Sequence, residues 1–157
     1  MRRRTAMLLS LACCAHLQRV TAGPVSADGH RPSIAVEDLS DTATPGGIAG
    51  RSVAQIIISE LKAQDRFILV DTNHALQPDD VVPRFQKWRS ENAAWLMTGR
   101  IRKTVDHRLK IDVRLWNVLK AEQATATQYI LASEDLPHVS HLIAEDIAQG
   151  VTASPSE

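Results

Sequence analysis

In 93-AAWLMTGRI-101 the residues from Ala93 to Met97 are apolar without a break, whereas in 108-RLKIDVRLWNV-118 Leu109, Ile111, Val113 and Leu115 alternate with Lys110, Asp112 and Arg114. A strand covered on both faces loses its alternation, and a strand with one face toward water keeps it. The first stretch therefore reads as a central strand over 94–99. The second, over 108–116, reads as a strand with one face on the core. It pairs as a hairpin with 122-EQATATQYIL-131 through a turn near Leu119-Lys120-Ala121.

Working outward, Ser33–Glu37 (SIAVE) and Phe67–Val70 (FILV) read as short buried strands, and 38-DLSDTATPGG-47 as a loop of turn residues. In 48-IAGRSVAQIIISELKAQDRF-67, Val53, Ile56, Ile57 and Leu61 recur at helical spacing, which predicts an amphipathic helix ending near Gln64-Asp65. Asp65 takes the place after the helix where φ is often positive. Pro83 is placed to open a second helix over 84–92. A third runs from about Asp135 to Val151, with Ser133 or Asp135 as its cap and Pro137 tolerated in its first turn. The order is βαβαβββα. It predicts one α/β (α+β) domain, a mixed five-stranded sheet with two to three helices on one face and the other face partly open.

With 157 residues, one domain is the expectation. The N-terminus, 1-MRRRTAMLLSLACCAHLQRVTAG-23, has a triple arginine, an apolar run from Ala6 to Ala15 and small residues at Val20-Thr21-Ala22, the layout of a secretory signal peptide. The run is too short to span a membrane. Cleavage after Ala22 leaves 23–32 as an extended arm, 33–152 as the folded domain and 153–157 as a disordered tail; a second site lies after Ala27. Arg3-Arg4 only hints at twin-arginine export, and the residues around Cys13 fit a lipoprotein signal poorly. Both cysteines fall in the leader, so the mature chain would hold neither a disulfide nor a thiolate. Formal net charge is zero. Losing Arg2, Arg3, Arg4 and Arg19 with the leader leaves an acidic excess, which gives no electrostatic claim on nucleic acid.

Chemistry-bearing motifs are sparse. His138, His141 and Glu145 share one stripe of the last helix, at spacings that metal sites use. A metal-dependent enzyme built on them is one alternative; a solvated helix face is the plainer one. No G-x-S-x-G, phosphate loop or H-E-x-x-H occurs, so no enzyme activity and no cofactor are expected. Gly46-Gly47-x-x-Gly50 reads as loop chemistry. Trp95 reads as core. Trp116, on the polar parity of its strand beside Arg114, reads as an interface residue, with packing against a loop as the competing role. Arg100, Arg102, Lys103, Arg108 and Lys110 read as a solvated cluster flanking a hairpin turn.

Taken in order, SIAVEDLSD, GIAGRSVAQIIISELKAQDRFILVD, FQKWRSENAAWLMTGRI, RLKIDVRLWNVLKAEQ and HVSHLIAEDIAQGVT resemble the N-terminal domain of the TolB family of the Tol-Pal system over residues 33–152. The resemblance implies a periplasmic, non-enzymatic interaction domain serving outer-membrane integrity, cell division and protein translocation. It implies a TolA-like inner-membrane partner met through the N-terminal arm. The residues at stake are Gly23, Pro24, Val25, His30, Arg31 and Pro32, with Arg114 and Trp116 beside them. The β-propeller of that family has no counterpart here, so Pal binding does not carry over. A truncated TolB without retained function is the other alternative.

Overall fold

The computed structural model describes residues 31–44, 47–72 and 82–153. Its elements are β1 (Ser33–Val36), β2 (Ser40–Asp41), α1 (Ile48–Ala63), β3 (Ile68–Val70), α2 (Phe85–Ser90), β4 (Trp95–Lys103), β5 (Leu109–Asn117), β6 (Glu122–Leu131) and α3 (Leu136–Ala153). A 3-10 turn over Ser133–Asp135 leads into α3, and Pro137 does fall in the first turn of that helix. The strands form one mixed sheet in the order β3-β1-β4-β5-β6. β1 runs parallel to both β3 and β4, and β4, β5 and β6 form an antiparallel meander.

The expected α+β class and element order hold, with four differences, the first being that α2 lies on the face opposite α1 and α3 and not with them on one face. The sheet has six strands, not five, because the loop after β1 contains β2, which pairs in parallel with Arg100 and Ile101 of β4. Two residues are too few to show a period. The central strand continues to Lys103 instead of stopping at Gly99. Pro83 lies two residues before α2 and outside it.

The two patterns in the sequence follow from unequal cover. α1 and α3 lie side by side on one face and bury Trp95, Met97, Ile101, Ile111, Val113 and Leu115 against Val53, Ile57, Leu61, Ile143 and Ile147. On the opposite face, among the described residues, the short α2 covers only one end, burying Ala35, Leu96, Trp116 and Val118 with its own Trp88. β4 is thus buried on both sides from Trp95 to Met97. Beyond Met97 it alternates, Thr98, Arg100 and Arg102 facing the uncovered side and Gly99 and Ile101 the helices. Asp65 has φ 49°, the left-handed turn expected after α1.

The start of α1 is built by a residue that no periodicity marks. Gly47 caps the helix without a side chain. Asp41, nine residues before Gly50, supplies the carboxylate instead. It accepts the Gly50 N–H at 3.1 Å, the Ala43 N–H at 2.8 Å, the Thr44 N–H at 3.1 Å and the Thr44 hydroxyl, while that hydroxyl accepts the Ala49 N–H at 3.1 Å. Burial alone would raise the Asp41 carboxyl; these donors outweigh it and hold it below its ordinary range. Gly50 is required here because a Cβ would stand 2.1 Å from the Leu39 carbonyl oxygen.

Leu96 is fully buried and Gln128 is exposed on the edge strand β6. Leu96→Ala is expected to cost about 2–5 kcal/mol and Gln128→Ala less than about 0.5 kcal/mol. Paired urea titrations check this; equal losses would mean the α2 cover is misplaced.

Candidate functional site: the base of the N-terminal arm and the uncovered sheet face

The residues singled out in the sequence fall in separate places. Gly23, Pro24, Val25 and His30 lie outside the described residues. Arg31 and Pro32 sit at the entrance to β1 and tie it to the end of α1. The Arg31 guanidinium donates to both carboxylate oxygens of Asp65, at 2.6 and 3.1 Å, and the Pro32 carbonyl accepts the Ile68 N–H at 3.0 Å. Arg114 lies two strands away on β5, opposite Thr98 of β4 and Ala126 of β6. That is about 10 Å sideways at ordinary strand spacing.

Trp116 is not a surface residue: it is 7% exposed. Its indole N–H donates to the Thr98 hydroxyl at 2.9 Å, and its ring meets that of Phe85 edge-on, with centroids 5.9 Å apart. The polar parity of its strand is correctly read, but α2 closes over that position. Strand periodicity carries no information about a helix that arrives from another part of the chain.

His138, His141 and Glu145 lie on the exposed side of α3. His141 faces α1, its Nδ1 3.1 Å from a Glu60 carboxylate oxygen. An open groove of about 480 Å³ between the two helices is lined by Glu60, Gln64, Arg66, His141, Glu145 and Gln149. Among the described residues no group of three or more His, Cys, Asp or Glu side chains is placed to hold a metal ion. The metal-enzyme alternative has no geometric support there.

The cationic cluster differs most from its sequence reading. Because β4 continues past Gly99, Arg100 and Arg102 are strand residues, and register sets them beside Asp112 and Lys110 of β5. Arg100, Arg102, Lys110 and Arg114 stand on one face of the sheet around a single carboxylate. Asp112 Oδ2 accepts Arg100 Nε at 3.0 Å and Arg102 Nη2 at 2.8 Å, and its other oxygen lies 4.0 Å from Lys110 Nζ. Burial would raise the Asp112 carboxyl, but the two arginines override it and keep it ionised below its ordinary range. Among the described residues of this face four cations surround one carboxylate, and Arg100 and Arg114 have further interactions besides. The signal was available in the sequence as alternation continuing through Thr98, Arg100 and Arg102.

Glu37, directly after β1, is the other unusual group. It is 2% exposed, and Oε1 has no hydrogen-bond partner among the described residues. Burial pushes its carboxyl up to about 7, partly opposed by Lys87 of α2 and reinforced by Glu91.

The sequence model of the TolB amino-terminal domain family matches residues 25–124. The chain belongs to this family. Among solved structures, TolB from Acinetobacter baumannii superposes with a TM-score of 0.63 at 18% identity, over 80% of this chain and 29% of that one. Protein XCC0632 from Xanthomonas campestris superposes with a TM-score of 0.51 at 8% identity, over 80% of this chain and 91% of that one. Lipoprotein GNA1162 from Neisseria meningitidis superposes at 0.50 with 11% identity, over 76% and 98%. At these identities the likeness is one of fold. The chain spans less than a third of the A. baumannii TolB. No helix among the described residues is long and apolar enough to cross a membrane.

The sign of the Glu37 effect follows from its raised value. Below about pH 4.5 the carboxyl is protonated in both folded and unfolded chains and costs nothing. Between there and about 7 the unfolded chain ionises first, so stability falls with rising pH, and the loss is complete above 7. Glu37→Gln is therefore expected to stabilise the domain by on the order of 1–3 kcal/mol at pH 8, with the gain vanishing near pH 4. Denaturant midpoints at the two pH values test it, and a gain that does not depend on pH would contradict it.

Proposed function

We propose that this chain is an exported, non-enzymatic protein-interaction domain that works as TolB-like proteins do in the Tol-Pal envelope system. In this reading the leader is removed after Ala22. The arm from Gly23 to Pro32 then engages a TolA-like inner-membrane protein, in support of outer-membrane integrity and cell division. Membership of the TolB amino-terminal domain family carries the reading.

The structure supports it at one point. Arg31 and Pro32 anchor the start of β1 to Asp65 and Ile68, so an arm leaving from here has a fixed origin. An arm of this kind can add to the exposed sheet edge of a partner, main-chain hydrogen bonds supplying the affinity. Ordering it costs roughly 1–2 kcal/mol per residue in backbone entropy, which favours modest, reversible binding. Trp116 is left out of the interface, since its ring is packed under α2.

Deleting 23–30 from the mature chain, while keeping Arg31 and Pro32 in place, is expected to abolish binding to the TolA-like protein of the same cell. Thermal unfolding should stay nearly unchanged. Calorimetric titration of both proteins reads the outcome. Undiminished affinity would move the contact off the arm and onto the folded domain.

A further inference from the structure

We propose that the half of the sheet that no described helix covers, from β4 to the outer edge of β6, docks an extended acidic segment of a partner protein, which adds to β6 as a further strand. This goes beyond the arm-mediated contact and does not depend on it: here the domain receives a strand instead of offering one.

The edge itself is the first ground. β6 pairs with β5 on one side and, among the described residues, with no strand on the other. It is ten residues long and largely exposed. Edge strands are ordinarily protected by lysine, proline, brevity or a bulge along their length. β6 has no lysine or proline, Glu122 is its only charge, and its one irregularity is opposite Leu115 and Trp116, at the end under α2. From Thr125 to Leu131 the pairing with β5 is regular.

Charge gives the second ground and selects the partner. Lys110 and Arg114 stand opposite Ile130 and Ala126 of β6, and Arg102 and Thr98 back them on β4. Ala126, Gln128 and Ile130 are the β6 residues on this face beside the row, and none of the three bears a charge. A strand added to β6 would lie about 10 Å from β5, a gap that long cationic and acidic side chains close from both sides. Carboxylates at alternate positions of that strand would all face the cationic row, because strand side chains alternate with a period of two. Arg102 and Lys110, which share Asp112, carry the charge argument; Arg100 and Arg114 keep their existing interactions and are not counted in it.

Other occupants fit less well. Single-stranded nucleic acid needs exposed aromatic platforms, and Trp88 and Trp116, which lie on this side of the sheet, are buried under α2. A second copy pairing through its own β6 would bring Glu122 as that strand's one acidic residue and a second cationic row in place of alternating carboxylates.

The test uses the mature full chain and a capped, fluorescent octapeptide alternating threonine with glutamate, read by anisotropy. Binding is expected at low ionic strength and should weaken as salt rises. It should fall at least about tenfold, about 1.4 kcal/mol, in Arg102→Gln/Lys110→Gln, with Lys110→Gln alone as the substitute if the double variant unfolds. One of two peptides N-methylated on complementary sets of alternate amides should not bind, because methylation removes the donors that pair with the edge while leaving charge intact. Absence of binding at low salt would overturn the proposal. Equal binding of both methylated peptides would overturn strand addition. Self-association by sedimentation that the double variant dissolves would replace the foreign segment with a second copy.

Discussion

A strand with apolar side chains on both faces must be covered on both, and β4 meets that demand with two unequal layers. α1 and α3 extend over one face; α2, with six residues, reaches only the end of the other. Trp95, Leu96 and Met97 are each essentially fully buried, and burying side chains of this size is worth about 1.5–3 kcal/mol apiece. The neighbours of β4 follow from its centrality. β1 and β2 pair with it in parallel, β5 antiparallel, and Glu37 continues the β1 ladder by donating its N–H to the Met97 carbonyl at 3.1 Å. Where the α2 cover stops, the strand becomes amphipathic, and the cationic row begins there.

The same boundary has an electrostatic cost on one side and an electrostatic use on the other. Under α2 the apolar layer closes over Glu37 and leaves its carboxyl short of partners. Just past α2, Asp112 gathers two arginines and a lysine in partial contact with water, where an ion pair gains little in net stability but holds long cationic side chains in a row. In the proposed docking mode that row serves recognition, not reinforcement of the fold.

Most of the architecture was legible in the sequence because it is written in periods: unbroken burial in 95–97, alternation in 109–115, and helical spacing from Val53 to Leu61. Features that depend on tertiary meetings were not. β2 is two residues long and gains its identity only by pairing with Arg100 and Ile101. Asp41 serves a helix that starts seven residues later, through contacts no local motif encodes. Trp116 lies on the polar parity of β5 and is nevertheless buried, because Phe85 and Trp88 arrive from a separate helix. Arg100 and Arg102 read as loop residues in the sequence because the unbroken apolar run ends before them, whereas the strand itself continues to Lys103.

The account turns on where the α2 cover ends, and Trp116 marks that line. With three tryptophans in the chain, the indole N–H signals of the nitrogen-15-labelled protein can be assigned by Trp116→Phe and followed after transfer to deuterated water. The Trp116 indole proton, buried and donated to Thr98, is predicted to persist for many minutes. Its disappearance within the dead time would place Trp116 on the open face and contradict the half-covered sheet.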